Sequence, residues 1–292
     1  MKKVRSRSGK AGLPPGSLVR VGDATALAPV IKLFTYTAEG FTEQDLKNLE
    51  ELPGANALNG IAWLDIDGLD DEKVIHAVGE RFCLHPLLLE DVLNYDHRPK
   101  LEEYQDTLFV VAKMLSLDEE TGGIDMEQVS FVLSKGTLIS FQERPGDILD
   151  PIRERIRKNL GRVRKHNADY LLYALLDVIV DNYFLIVENV GERIQELERK
   201  VTVRPGNEDL LTIQEIRSLL ITVNRYVTPT RELAGRLNTV QSSLIEKGTR
   251  RYINDLQDHT VYIADSINTF RDMLTNLENT YHAGVNMRMG QV

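Results

Sequence analysis

Residues 167–203, NADYLLYALLDVIVDNYFLIVENVGERIQELERKVTV, decide the fold. Leu172, Leu176, Ile179, Tyr183, Val187, Val190, Ile194, Leu197 and Val201 recur at steps of three and four, the spacing that puts apolar side chains on one stripe of a helix. Pro205-Gly206 then ends the helix. The run from Tyr170 to Val190 is long enough to cross a bilayer, which takes about 20 predominantly apolar residues. Asp177, Asp181, Asn182 and Glu188 interrupt it, however, so it reads as a buried helix of a protein core.

Upstream the period changes. Stretches 30–36 (VIKLFTY), 61–66 (IAWLDI), 107–116, 127–133 and 137–142 read as strands, the last two joined by the hairpin signal Ser134-Lys135-Gly136. Short helices are expected at 71–82, at 85–93 with Pro86 in the first turn, and at 147–159 with Asp147 as N-cap and Pro151 near the start. Downstream, a second long helix is expected over 207–245, with a kink at Pro229, and a third from about residue 249 to the end. On the third, Leu256, Thr260, Ile263, Ile267, Phe270, Leu274, Leu277 and Tyr281 form a heptad seam. One helix cannot bury such a seam alone. It needs either the other two helices of the chain or a second copy, and the periodicity favours the second copy. The expected fold is therefore α+β: a basic tail over 1–26, an αβα sandwich with a mixed or antiparallel sheet over 27–165, two long antiparallel helices over 166–245, and a stalk helix over 246–292.

Composition narrows the function. The 292 residues carry a net charge of −9, which disfavours nucleic acid as a partner, because phosphate binding needs clustered Lys and Arg. The single Cys83 excludes a disulfide within the chain and any cysteine-based zinc cluster. The basic start is followed by no apolar stretch of the kind found in a signal peptide, and the chain as given is expected to be soluble. No P-loop, GxGxxG, nucleophile elbow, HExxH or EF-hand loop occurs, so no enzymatic activity is expected. A metal-dependent hydrolase would need a carboxylate pair that nothing in the sequence selects.

The acids are the remaining signal. Glu90 and Asp91 close the segment HPLLLEDV, Glu102 and Glu103 follow Pro99, and Asp255 and Asp258 have His259 beside them. Asp177 and Asp181 stand one turn apart within the apolar helix. Acids are seldom buried unless they are paired or bind metal, and a boundary position paired with Arg or Lys of another helix is the commoner arrangement. Asp258, Asp265 and Asp272 recur every seven residues, as a solvated helix face also would. A hard cation such as Mg²⁺ keeps much of its water and needs only one or two carboxylates, so spacing alone does not locate its site.

Taken together, HPLLLEDVLNYDHRPKLEEYQDTLFVVAKML (85–115), EQVSFVL (127–133), ERPGDILDPIRERIR (143–157), KHNADYLLYALLDVIVDNYF (165–184), RYVTPTREL (225–233) and DLQDHTVYIADSINTFRDML (255–274) resemble the CorA family of magnesium and cobalt transport proteins. The resemblance implies the cytoplasmic part of a homopentameric channel on the cytoplasmic face of the inner membrane. Two membrane spans and a Gly-Met-Asn pore loop would follow NMRMGQV, and Gly290 stands where family members often have Asn. It also implies a regulatory role for Mg²⁺, and possibly Co²⁺, bound between subunits: Asp91 would pair with Asp255 of the adjacent subunit, Glu90 and Asp177 would form a second site, and bound metal would favour the closed state. The zinc-transporting ZntB branch is the alternative, and a soluble helical scaffold a more distant one.

Overall fold

The computed structural model describes residues 28–47, 49–52, 54, 60–118, 121–144, 146 and 148–289. The expected basic tail, the Asp147 cap and Gly290 lie outside these residues. One seven-stranded sheet has the order β2-β1-β3-β7-β6-β5-β4, built from β1 (Val30–Tyr36), β2 (Phe41–Asp45), β3 (Ile61–Asp67), β4 (Lys100–Tyr104), β5 (Thr107–Leu117), β6 (Ile124–Ser134) and β7 (Thr137–Gln142). Every neighbouring pair is antiparallel except β3 and β7, which run parallel with Leu64 opposite Ile139. The β6–β7 hairpin turns at Lys135-Gly136, with Ser134 paired to Thr137. Gly136 takes φ +71°, a left-handed conformation that glycine adopts without Cβ strain.

Both faces of the sheet are covered. On one side, α1 (Glu72–Arg81) and α2 (Pro86–Val92) pack over Leu64, Ile66, Phe109, Val111, Val132 and Ile139. Asp71 caps α1 by accepting from Lys73 N, and His85 Nδ1 caps α2 by accepting from Leu87 N at 3.2 Å. On the other side, α3 (Asp150–Arg157) and α4 (Ala168–Val203) lie over Phe34, Trp63, Val110 and Phe131. The α3 helix begins later than the expected residue 147 and has no side-chain cap. A buried ion pair ties it to the sheet: Arg153 donates to Asp65 Oδ2 at 2.6 Å, while Ser140 Oγ donates to Asp65 Oδ1.

The long helices are α4, α5 (Asn207–Thr239) and α6 (Arg250–Met289). Asn167 caps α4 by accepting from Ala168 N. The α5 helix ends at Thr239, short of the expected residue 245, where Arg250 donates to the carbonyls of Asn238 and Val240. Those bonds satisfy acceptors that a helix end leaves open. Pro229 lies inside α5.

The preference for a second copy along the α6 seam is corrected. Leu256, Thr260, Ile263, Ile267, Leu274, Leu277 and Tyr281 are buried within one chain, and Phe270 is half-buried. The α4 stripe of Ile194, Leu197 and Val201 and the α5 stripe of Ile213, Ile216, Leu220, Val223 and Val227 join them in one core. Two antiparallel helices of the same chain satisfy a heptad seam as well as a partner would. At Gly191 an added Cβ would lie 2.9 Å from Phe270 Cζ, so glycine lets α4 approach α6 at that ring. Asp258, Asp265 and Asp272 remain on the solvated face.

Candidate metal-sensing site

The four candidate ligands lie on three elements in two groups. Glu90 and Asp91 sit at the end of α2, where buried Leu88, Leu89 and Val92 anchor the helix and Leu87 is exposed. Asp177 lies on α4 and Asp255 on α6, on the other side of the sheet. Among the described residues no group of three or more His, Cys, Asp or Glu converges to hold an ion within one chain.

Asp91 is already well partnered. Its Oδ1 is 2.9 Å from His97 Nε2, and its Oδ2 accepts from Lys100 Nζ at 2.6 Å. Burial opposes the charge of Asp91, but the hydrogen bonds from His97 and Lys100 outweigh it and hold the carboxyl below the usual carboxylate range. Lys100 also donates to Glu102 at 2.7 Å, which places Glu102 in the same cluster. Burial opposes the Lys100 charge as well, and the two carboxylates keep its pKa above the ordinary value.

Asp177 is in the opposite condition. Its Oδ1 is buried without a hydrogen-bond partner, and so is Nδ1 of His259, 3.8 Å away. Burial first, and the neighbouring charge of Asp181 second, push the Asp177 carboxyl up to about 6, against the pull of His259 and of the Tyr173 hydroxyl. The other nitrogen of His259, Nε2, is 3.8 Å from Asp255 Oδ2, and Asp255 is exposed. His259 thus stands between Asp177 and Asp255, half-exposed, with the ring of Phe184 edge-on at 5.6 Å. This spot on the α4–α6 face is rich in oxygen donors, and one oxygen of Asp177, Oδ1, is buried without a hydrogen bond.

The structure therefore brings Asp177 and Asp255 together and leaves Glu90 and Asp91 apart from them. His97 and Lys100, which decide the state of Asp91, lie in the HRPK stretch 97–100, and the spacing of charges there gave no sign that they turn back onto α2. His259 was marked only by its place beside Asp255.

The molecule is an αβα sandwich carrying three long helices, with Asp177 and Asp255 on the helix face. The chain belongs to the CorA-like Mg²⁺ transporter family, whose model matches residues 59–292. It is 38% identical over 285 residues to the cobalt/magnesium transport protein CorA of Thermotoga maritima, a match covering 98% of this chain and 81% of that protein. The fold matches the soluble domain of CorA from Methanocaldococcus jannaschii with TM-score 0.72 at 18% identity, covering 89% of this chain and 99% of that one. It also matches the ZntB cytoplasmic domain of Vibrio parahaemolyticus with TM-score 0.75 at 13% identity, covering 89% and 100%. Both structural likenesses lie in the fold. The α4 helix is long and apolar enough to cross a membrane by length and composition, but most of that stretch is buried in the protein.

Proposed function

We propose that this chain is the cytoplasmic, metal-sensing part of a homopentameric channel for Mg²⁺, and for Co²⁺ as a second substrate, at the inner membrane. In this reading a divalent ion bound between subunits favours the closed state. The observation that carries it is the buried Asp177 Oδ1, without a hydrogen-bond partner beside His259 and Asp255. Because Glu90 and Asp91 lie across the sheet from that spot, one chain cannot assemble all four acids, and in this reading neighbouring chains supply them to shared sites.

Asp91 and Asp255 of the partner subunit would hold one hydrated ion, and Glu90 and Asp177 a second. Mg²⁺ suits such sites because it takes oxygen ligands and keeps several waters. An ion at Asp91 must share the carboxylate with Lys100 and His97, which makes that site sensitive to metal concentration. Without metal, two carboxylates about 4 Å apart repel by roughly 4 kcal/mol at an effective dielectric near 20, and a divalent ion reverses the sign. The ion favours the closed state only through its higher affinity for that state. The cobalt/magnesium relative at 38% identity supports this choice of ion; a ZntB-like zinc role draws on the fold alone.

The test is the double variant Asp91→Asn, Asp255→Asn, which keeps side-chain size and removes charge. Mg²⁺ should raise the melting temperature of the unaltered chain, because a ligand stabilises the state it binds, and the variant should lose the part of that rise due to the Asp91–Asp255 ion. A variant that keeps the full Mg²⁺ effect would refute the assignment.

A further inference from the structure

One buried cation has no place in the reading above. Lys113, in the middle of β5, is 1% exposed. It ends the row of side chains Phe109, Val111, Lys113 that face the α1–α2 layer, and its neighbours in that row are core residues. A buried ammonium is costly unless hydrogen bonds compensate it. Lys113 Nζ donates to the carbonyl of Tyr95 at 2.7 Å and to Oε1 of Gln128 at 2.9 Å. Gln128, directly opposite on β6 and 2% exposed, turns its Nε2 to the carbonyl of Asn94 at 3.0 Å. Two buried side chains thus grip two consecutive carbonyls of the turn that follows α2.

That turn leads straight to Asp91. His97, three residues past Asn94, brings Nε2 to 2.9 Å from Asp91 Oδ1, to which it donates. From the same strand residue, the carbonyl of Lys113 accepts from Tyr183 Oη on α4 at 2.6 Å, so the clamp is fixed on the helix side of the sheet as well. Each link is a short polar contact in a largely buried setting, where hydrogen bonds are stiff and losing one partner strands the other.

We propose that Lys113 and Gln128 are positioning residues for the metal site. They hold the 94–97 turn so that His97 and Lys100 present the Asp91 carboxylate in one orientation. This rests on the reading of Asp91 as a metal ligand. It adds that the affinity of the site is set from the centre of the sheet, by two residues that never touch the ion.

Three variants of the full 292-residue chain test the idea. Gln128→Met keeps the volume and leaves Lys113 its bond to Tyr95; Lys113→Met removes the bond to Tyr95 and leaves Gln128 its bond to Asn94; Asp91→Asn is the reference. Amide hydrogen exchange without metal and the Mg²⁺ concentration for half-maximal heat protection are measured for each. In Gln128→Met, exchange should quicken at residues 94–97 and stay unchanged in α6, and the half-saturating Mg²⁺ concentration should rise at least threefold. A merely structural role would instead loosen β5 and β6 and leave the Mg²⁺ curve in place. Lys113→Met should likewise quicken exchange at 94–97 and raise the half-saturating Mg²⁺ concentration, and if it does not fold, Gln128→Met decides alone. Unchanged exchange at 94–97 overturns the clamp. A loosened turn with an unmoved Mg²⁺ curve, while Asp91→Asn shifts it, overturns the positioning role and leaves the site standing. A Mg²⁺ curve that Asp91→Asn does not move overturns both.

Discussion

Asp177 and Asp91 show how neighbours, rather than residue type, decide what a carboxylate does. Asp91 is held below the carboxylate range by His97 and Lys100, whereas Asp177 is pushed up to about 6 by burial and Asp181. The second shift fixes a sign. Between pH 4 and 6 the folded state holds a proton on Asp177 that the unfolded state has released, so stability without metal falls as pH rises through that window. Below it both states are protonated and the effect vanishes; above it the penalty is complete. In chelator, Asp177→Asn should therefore raise the melting temperature at pH 8 by the equivalent of up to about 3 kcal/mol, and the difference from the unaltered chain should close near pH 4. Thermal melts across that range check it, and a difference independent of pH would contradict the placement. Asp177 stood out in the sequence because acids are rare within an apolar stripe. The partners of Asp91 were not legible, because contacts across six and nine residues depend on how the turn after α2 folds back.

Among the elements, long helices and buried strands were legible and exposed or short pieces were not. The period of α4 gave its full length, and strands such as β1 and β7 announced themselves by apolar runs. The β2 strand is exposed along its whole length and β4 buries only Leu101, so neither carries an apolar alternation to read. The α6 seam was visible as a pattern, but a pattern cannot say which surface covers it. Because that surface belongs to the same chain, Ile267→Ala should destabilise the isolated subunit by about 2–5 kcal/mol, the usual cost of truncating a buried aliphatic side chain. Urea denaturation of dilute protein in chelator should give the same loss at every protein concentration. Phe270→Asp should act in the same way, by unseating the ring packed at Gly191.

For the molecule as a whole, assembly is expected to depend on metal more than on the α6 seam. Sedimentation velocity over a range of protein concentrations should show larger species in Mg²⁺ and smaller ones in chelator, and identical profiles would contradict metal-linked assembly. The αβα layering followed from the change of period near residue 167, whereas the strand order did not, since nothing local encodes that β3 and β7 become neighbours. That pair has a kinetic consequence. The sheet consists of two sets of near-sequence antiparallel neighbours, β2-β1-β3 and β7-β6-β5-β4, zipped together along the parallel β3–β7 ladder from Ala62–Thr137 to Asp67–Gln142. Each set can form by closing short loops. The junction must instead close a loop that holds α1, α2 and three strands, and loop-closure entropy has to be met before such distant contacts give any return. The parallel seam is thus expected to form late in folding, so weakening it should speed unfolding more than it slows refolding, which stopped-flow folding and unfolding rates of Ile139→Val would check.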